Sequence, residues 1–555
     1  MKSVLKVCLL VLFALLPLSA QAAALDSASL QQKLRVLVEG SVDERAKVIR
    51  SLESLGENAP QKLIVHNLLK AYGNGTLYYW NGEAVFTNAV TQDENYTKYI
   101  NPVDVFTGQY KVSPSYRVKL REVKILAADR NDRDVVSDSL LFVDLGLDSH
   151  DLVLNAVERI ATIDRAQEAV AALETLRKES KDPSVRFSAD EGLGLIGLRG
   201  AAERDSKIAL IEHLGKLPSL RARPILEDMK AKETDLLTLA ALNRAIAQIR
   251  NYEGLVSVFD IFKSSLSTGS ILILMAMGLA ITFGMMGVIN MAHGEMMMIG
   301  AYTTYCVQIA FGHTAEHPVP EFFLFALPLS FLVAALVGGV IEWLVVRHLY
   351  KRPIESLLAT YGVSLILTQV VRLTFGDNRA TNTPDWLQGA VEVAQGMEIP
   401  VNRFFILLVA VLSVLLVLFI FRYTKVGLNM KATMQNRDMA ASMGINTRWI
   451  DSFTFMLGSG IAGIAGYALT TVGGITPDMG KNYIVDSFLI VVTGGTGSVA
   501  GVVVSGTGIG FLNKFLEGTL LGTVWAKIVV LALVMTFIQF RPAGIFAPKG
   551  RLADE

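Results

Sequence analysis

From Lys263 onward the chain is a succession of apolar stretches, each long enough to cross a hydrocarbon core of about 30 Å, which confines this half to a bundle of membrane helices. The stretches fall near 266-288, 295-312, 322-346, 356-375, 403-422, 451-472, 484-516 and 519-540. Between Ser264 and Phe540 there are 14 basic and 14 acidic residues, so 28 of the chain's 102 charges occupy about half its length. The seventh stretch exceeds one simple helix and carries Gly494, Gly495 and Gly497, with Gly501 just beyond. Unwound backbone at membrane depth is tolerated only where protein or a water-lined cavity satisfies its polar groups. Residues 484-516 are therefore expected to form a broken hairpin around a functional cavity.

The segment ahead of the membrane half reads differently. Residues 1-24 have the form of a cleavable signal peptide: Lys2 and Lys6, a short apolar core from Val7 to Leu18, and small residues ending at Ala24. Residues 25-263 carry the periodicity of soluble helices, with Leu236, Leu239, Leu242, Ile246 and Ile249 on one face. Asp182-Pro183 is an N-cap followed by proline at the first helical position. From Asp151 to Tyr252 the pattern predicts about six short helices, stacked in pairs of the HEAT type. Leu77 to Trp80, Asn81-Gly82 and Glu83 to Phe86 predict a β-hairpin, because Asn-Gly adopts the positive φ of a two-residue turn. The alternation from Tyr116 to Ile125 predicts one further strand. The expected fold is an all-α polytopic membrane protein with an exported, mainly α-helical N-terminal domain containing a small β-hairpin.

Basic residues set the orientation, because cytoplasmic loops retain Lys and Arg. Arg347, Lys351 and Arg352 mark one such loop, Arg422, Lys425, Lys431, Arg437 and Arg448 a second, and Arg541, Lys549 and Arg551 the C-terminal end. This places residues 25-263 in the periplasm, the 264-548 membrane domain in the bacterial inner membrane, and the 549-555 tail in the cytoplasm. The formal net charge is +0, which gives no reason to expect a nucleic-acid partner. The cysteines are Cys8 and Cys306, so a mature chain without its signal peptide holds one thiol and no intramolecular disulfide.

Two runs carry the functional signal. Asn290-Met291-Ala292-His293-Gly294-Glu295 puts an amide, an imidazole and an acid at or near membrane depth, where polar groups line a pathway or pair with one another. The alternative is an ordinary turn whose Asn and Glu cap helix ends. The second run, between 425 and 450, reads as a short helix ended by Gly444, with Met434, Met439, Met443 and Ile445 offering apolar contact to a partner or to the lipid surface. Asp486 and Lys527 lie within apolar stretches, the first a pathway candidate and the second a snorkelling or paired cation. Glu342 and Arg372 read as interfacial, and Met296 to Met298 as packing. His313 and His317 beside Glu316 lack a third ligand, so no metal is expected. The sequence has no Gly-x-x-x-x-Gly-Lys-Ser/Thr run, so any ATP must be hydrolysed by another subunit. It has no Gly-x-Ser-x-Gly elbow either, and an enzyme is not expected.

Ile289 to Glu295, Leu358 to Ser364, Asn436 to Ile445 and Thr493 to Gly501 together resemble the permeases of branched-chain-amino-acid-type ABC importers, the LivH-like family. The resemblance covers roughly Leu266 to Pro548. It implies a transmembrane path worked by ATP-driven alternating access, with Asn290, His293, Glu295, Tyr361, Asp486 and Thr493 lining it. It also implies a coupling loop in which Asn436, Arg437, Met439, Ala440, Ala441, Gly444 and Ile445 engage the ATPase. The implied partners are a second LivM-like permease subunit, two cytoplasmic ATPase subunits, a periplasmic substrate-binding protein and membrane lipid; this chain itself binds no cofactor. The long N-terminal extension and Tyr483-Ile484-Val485-Asp486-Ser487-Phe488 are similar to the urea-transport, UrtB-like branch, which implies urea as cargo. Branched-chain amino acids or short amides are the alternative. A membrane receptor with an exported sensor domain is the reading from another class.

Overall fold

The computed structural model describes residues 33–37, 40–55, 59–81, 83–87, 90–92, 98–100, 102–104, 118–120, 123–201, 203–312, 319–350, 352–518 and 522–546. The expected signal peptide, the His313 and His317 pair, Gly82 and the 549-555 tail lie outside these residues. The chain divides into two compact units, Met1–Glu253 and Gly254–Glu555.

In the first unit, α1 (Val42–Glu53) and α2 (Ala59–Asn74) precede seven short strands. β1 (Leu77–Trp80) and β2 (Glu83–Phe86) pair antiparallel from Leu77 opposite Phe86 to Trp80 opposite Glu83, as the Asn-Gly signal predicts, with Asn81 at φ 50°. β3 (Val90–Gln92), β4 (Lys98–Ile100), β5 (Val103–Asp104), β6 (Val118–Lys119) and β7 (Lys124–Leu126) complete two sheets, of order β5-β2-β1-β7 and β3-β4-β6. The unit therefore holds more β-structure than one hairpin. The expected Tyr116 to Ile125 strand is two strands in different sheets, because β6 pairs with β4 while β7 pairs with β1.

The helices α3 (Arg130–Asp144), α4 (His150–Ile160), α5 (Val170–Glu179), α6 (Pro183–Gly200), α7 (Arg204–Lys216) and α8 (Ala222–Lys232) follow with short connections. Asp182 caps α6 by accepting from Ser184 N at 2.9 Å, with Pro183 at the first position. Their apolar faces share one core that includes Val157, Leu173, Ile196, Leu214 and Ile249. The stack is locked by buried polar groups. Glu191, 1 % exposed on α6, accepts from Ser219 at 2.5 Å and pairs with Arg221 at 2.9 Å.

α9 (Leu236–Met286) belongs to the first unit as far as Glu253 and to the second from Gly254. The second unit continues with α10 (His293–Ala310), α11 (Phe322–Leu344), α12 (Pro353–Phe375), a hairpin of β8 (Ala390–Ala394) and β9 (Met397–Pro400), and α13 (Val401–Tyr423). Then come α14 (Lys425–Gln435), α15 (Arg437–Ser442), α16 (Thr447–Leu469), α17 (Met479–Gly494), α18 (Val499–Leu516) and α19 (Gly522–Phe540). Among the described residues, seven helices are long and apolar enough to cross a membrane: α9, α11, α12, α13, α16, α18 and α19. The expected 484-516 stretch is two helices meeting at the glycines, and the 425-450 helix is likewise two, divided at Asn436. α10, α11 and α16 cross closely because glycines stand where they touch. A Cβ on Gly463 would lie 2.5 Å from the Ser330 carbonyl oxygen.

Candidate functional site

α10 starts at a polar turn deep in the bundle. His293 Nε2 lies 3.2 Å from the carbonyl oxygen of Met275 on α9, and α9 runs eleven residues further to Met286, about 16 Å at the helical rise. The segment 287–292 therefore doubles back along α9 before α10 begins. Its backbone is satisfied inside the protein: Met291 N donates to Thr360 Oγ1 at 3.2 Å and Ala292 N to Asn290 Oδ1 at 3.0 Å. This is irregular backbone at membrane depth, tolerated because it is buried in protein. Asn290, His293 and Glu295 are 1 %, 0 % and 2 % exposed. A carbonyl only accepts, so His293 Nε2 carries the proton, and among the described residues Nδ1 has no hydrogen-bond partner, nor has Asn290 Nδ2.

Glu295 faces α12. Its Oε1 accepts from Ser364 Oγ at 2.7 Å and from Thr368 Oγ1 at 3.5 Å, and its position in the first turn of α10 suits a carboxylate. Ser356, Thr360, Ser364 and Thr368 are all buried and spaced by four, so one stripe of α12 presents hydroxyls to the start of α10 while Leu358, Leu365 and Ile366 point outward. The start of α17 joins them, because a Cβ on Gly294 would lie 2.7 Å from the Gly480 carbonyl oxygen. One turn beyond Thr368, Arg372 pairs with Asp478 and, at 3.0 Å, with Asp377. Arg372 thus lies in the last turn of α12, partly exposed and paired with carboxylates of the following segments. In this conformation the seam is packed shut.

The structure brings Asn290, His293 and Glu295 together and sets the other expected pathway residues elsewhere. Tyr361 is 45 % exposed on the outer side of α12, since the helix turns its i, i+4 hydroxyl stripe inward. Asp486, on α17, pairs with Lys527 of α19 at 3.7 Å, and Lys527 also donates to Asn482 O at 3.4 Å. Thr493 stands at the glycine break. Ser364 closes the Leu358 to Ser364 motif but was given no role there, and Thr368 lies outside it; the four-residue repeat of small hydroxyls from Ser356 was the available signal.

At the break, Gly495 and Gly497 take φ 95° and 81°, and Ser498 caps α18 by accepting from Gly501 N at 3.1 Å. The freed carbonyls are not left to a cavity. Thr493 O accepts from Ile545 N at 2.8 Å and Gly494 O from Phe546 N at 3.2 Å, so the segment after α19 seals the break. A Cβ on Gly544 would meet Gly495 N at 2.7 Å. On the other side, a Cβ on Gly497 would lie 3.0 Å from Met434 Cε of α14. Met434 therefore packs on the break instead of offering an exposed contact.

The α14–α15 elbow is held by side chains. Asn436 caps α15 by accepting from Met439 N at 2.9 Å, and Gly444 takes φ 85°. Arg437 pairs with Asp451 and lies 4.9 Å from the Tyr350 ring centroid. Tyr350 and Ser452 donate to Glu342 at 3.0 and 2.7 Å, and Arg347 pairs with it at 3.2 Å. Glu342, two residues from the end of α11, is thus 1 % exposed and held by partners within the protein. Ala440 is buried and Ile445 half-buried, while Met439, Ala441, Met443 and Gly444 face outward, Met439 at 61 % and Met443 at 78 % exposure.

A family model described as branched-chain amino acid transport system / permease component matches residues 261–538. The chain is 29% identical over 294 residues to the high-affinity branched-chain amino acid transport system permease protein LivH of Salmonella typhimurium, covering 51% of this chain and 93% of that protein. It is 29% identical over 289 residues to the corresponding permease BraD of Pseudomonas aeruginosa, with the same 51% and 93% coverage. It is 26% identical over 302 residues to the probable LivH of Methanocaldococcus jannaschii, covering 51% and 91%. These relatives are named as transport permeases, not enzymes. No solved structure matches the chain. The match spans the helices that carry the seam, the break and the elbow. By it, the chain belongs to the branched-chain amino acid transport system permease component family, multi-pass inner-membrane subunits of ABC importers.

Proposed function

We propose that the chain forms half of the transmembrane path of an ABC importer, that its cargo is urea, and that the path runs beside the Glu295 seam. The observation that carries the path is the burial of Asn290, His293 and Glu295 against the hydroxyl stripe of α12, because polar groups at that depth are retained for pathways or mutual pairing. Hydroxyls, an amide and one carboxylate suit a small neutral amide, which exchanges hydrogen bonds without needing a clamp of both signs. The urea reading rests on the resemblance of residues 1–263 and Tyr483 to Phe488 to the urea-transport branch. Branched-chain amino acids are the second reading, favoured by the printed names of the relatives.

Under this reading the exposed face of Met439, Ala441, Met443 and Gly444 receives an ATPase subunit, a second permease completes the path, and a binding protein delivers cargo. The N-terminal unit is exported, the elbow and C-terminal tail are cytoplasmic, and ATP is used by the partner subunits. Uptake of labelled urea into cells carrying the whole importer tests the cargo. Competition by unlabelled urea and acetamide, with none by leucine, is the expected outcome. Uptake of labelled leucine by the same cells, with no importer-dependent uptake of urea, moves the assignment to the second reading.

A further inference from the structure

A groove of ≈ 200 Å³ opens on the flank of the membrane unit between α9, α13 and α18, away from the Glu295 seam. It is lined by the small residues Gly269 on α9 and Thr507 on α18 and by Ile273, Leu407, Val411 and Leu415. From Ser265 to Ile273 it follows α9 for eight residues, about 12 Å, which suits part of an extended acyl chain. Val411 and Leu415 are 47 % and 55 % exposed, so the groove lies open on the apolar face.

The charge at its head identifies the occupant. Arg403, Leu407, Val411 and Leu415 recur every four residues on one face of α13, so Arg403 sits one turn beyond the groove, about 6 Å above Leu407. Arg403 donates to Ser264 Oγ on α9 at 3.1 Å, which places its guanidinium across the mouth between two of the groove's three helices. Among the described residues no carboxylate pairs with Arg403. The neighbouring Lys263 is engaged by Asp260 at 2.6 Å and by Glu398 O at 2.7 Å. An unneutralised guanidinium at the head of an apolar groove complements one class of molecule in a membrane, a lipid with an anionic head and an extended tail. We propose that this groove binds an anionic phospholipid, with one acyl chain along α13 and the phosphate on Arg403.

Native mass spectrometry of the full chain in mild detergent tests the proposal, with delipidated protein given equal amounts of phosphatidylglycerol and phosphatidylcholine. The expected result is one lipid retained per chain, with phosphatidylglycerol preferred by about fivefold, because its phosphate charge is not offset by the choline cation that phosphatidylcholine would bring beside Arg403. Arg403→Ala removes the preference without removing retention, and Val411→Trp, a change at an exposed position, removes retention of both lipids. Equal retention of the two lipids by the unaltered chain overturns the proposal, as does undiminished retention by Val411→Trp. A photo-crosslinker at Val411 in the assembled importer is expected to capture lipid; capture of the second permease in its place also overturns it.

Discussion

Glu295 accepts from Ser364 Oγ at 2.7 Å while 2 % exposed, so its removal leaves that hydroxyl without this acceptor, whereas Thr368 keeps its bond to Ser364 O. Glu295→Ala is expected to lower uptake about tenfold or more, the scale of one or two charge-assisted hydrogen bonds, with insertion into the membrane unchanged. Uptake and membrane yield measured together check this, and Ser364→Ala is expected to give a smaller loss in the same direction. In the N-terminal unit, Asp132 is 1 % exposed and accepts from Arg45 and Tyr72, both at 2.8 Å. Asp132→Ala is expected to cost about 1–3 kcal/mol in that unit's stability, read as its thermal unfolding transition, because the buried Tyr72 hydroxyl loses its acceptor while Arg45 keeps Asp129 and Gly40 O. Burial raises the Glu191 carboxyl above its ordinary value despite Arg221 and the Ser219 hydroxyl. A carboxyl whose folded value is raised contributes stability that is present at low pH and lost as pH rises through that value. Glu191→Gln is expected to flatten this fall, which thermal unfolding over the acid range measures.

At the scale of elements, the α14–α15 elbow and the glycine break act together, because Met434 of α14 abuts Gly497 and the segment after α19 donates to Thr493 O and Gly494 O. A push on the elbow therefore reaches both the broken helix pair and the C-terminal segment. Met443→Asp alters the outward face of the elbow without entering its core, since Met443 is 78 % exposed. It is expected to abolish uptake and cargo-stimulated ATP hydrolysis while the permease still inserts. The buried Ala440 is a poorer probe, because a large side chain there disturbs packing as well as docking. Gly544→Ala places a methyl against Gly495 N at a position with φ 74°, and is expected to lower stability by about 1–3 kcal/mol, read as the temperature at which the detergent-solubilised chain aggregates.

For the whole molecule, each of the two units has its own core, which Ile196 and Leu214 typify in the first and Leu274 and Ala462 in the second. Removing residues 25–235 while retaining the first 24 is expected to leave the membrane unit inserted and folded. Protease protection of the remaining spans checks it. Uptake in the same variant then separates a docking role of the N-terminal unit from a bracing one.

The length and composition of the apolar stretches by themselves marked the seven helices long and apolar enough to cross a membrane, because spanning a hydrocarbon layer imposes both locally, whereas α10, at the expected 295-312 stretch, is not among them. Local chemistry likewise marked the Asp182 cap, the Asn81 hairpin, the glycine break and the Gly444 end of the elbow, but not its division at Asn436. What only the tertiary structure decided is which side of each helix meets a neighbour. Tyr361 and Thr360 are adjacent in sequence, yet α12 turns Thr360 to the start of α10 and Tyr361 outward. Asp486 finds Lys527, and the carbonyls of the glycine break find Ile545 and Phe546, through contacts between segments far apart in the chain. A polar group at membrane depth must be satisfied by some partner, and that requirement is written in the residue. The identity of the partner is set by helix packing.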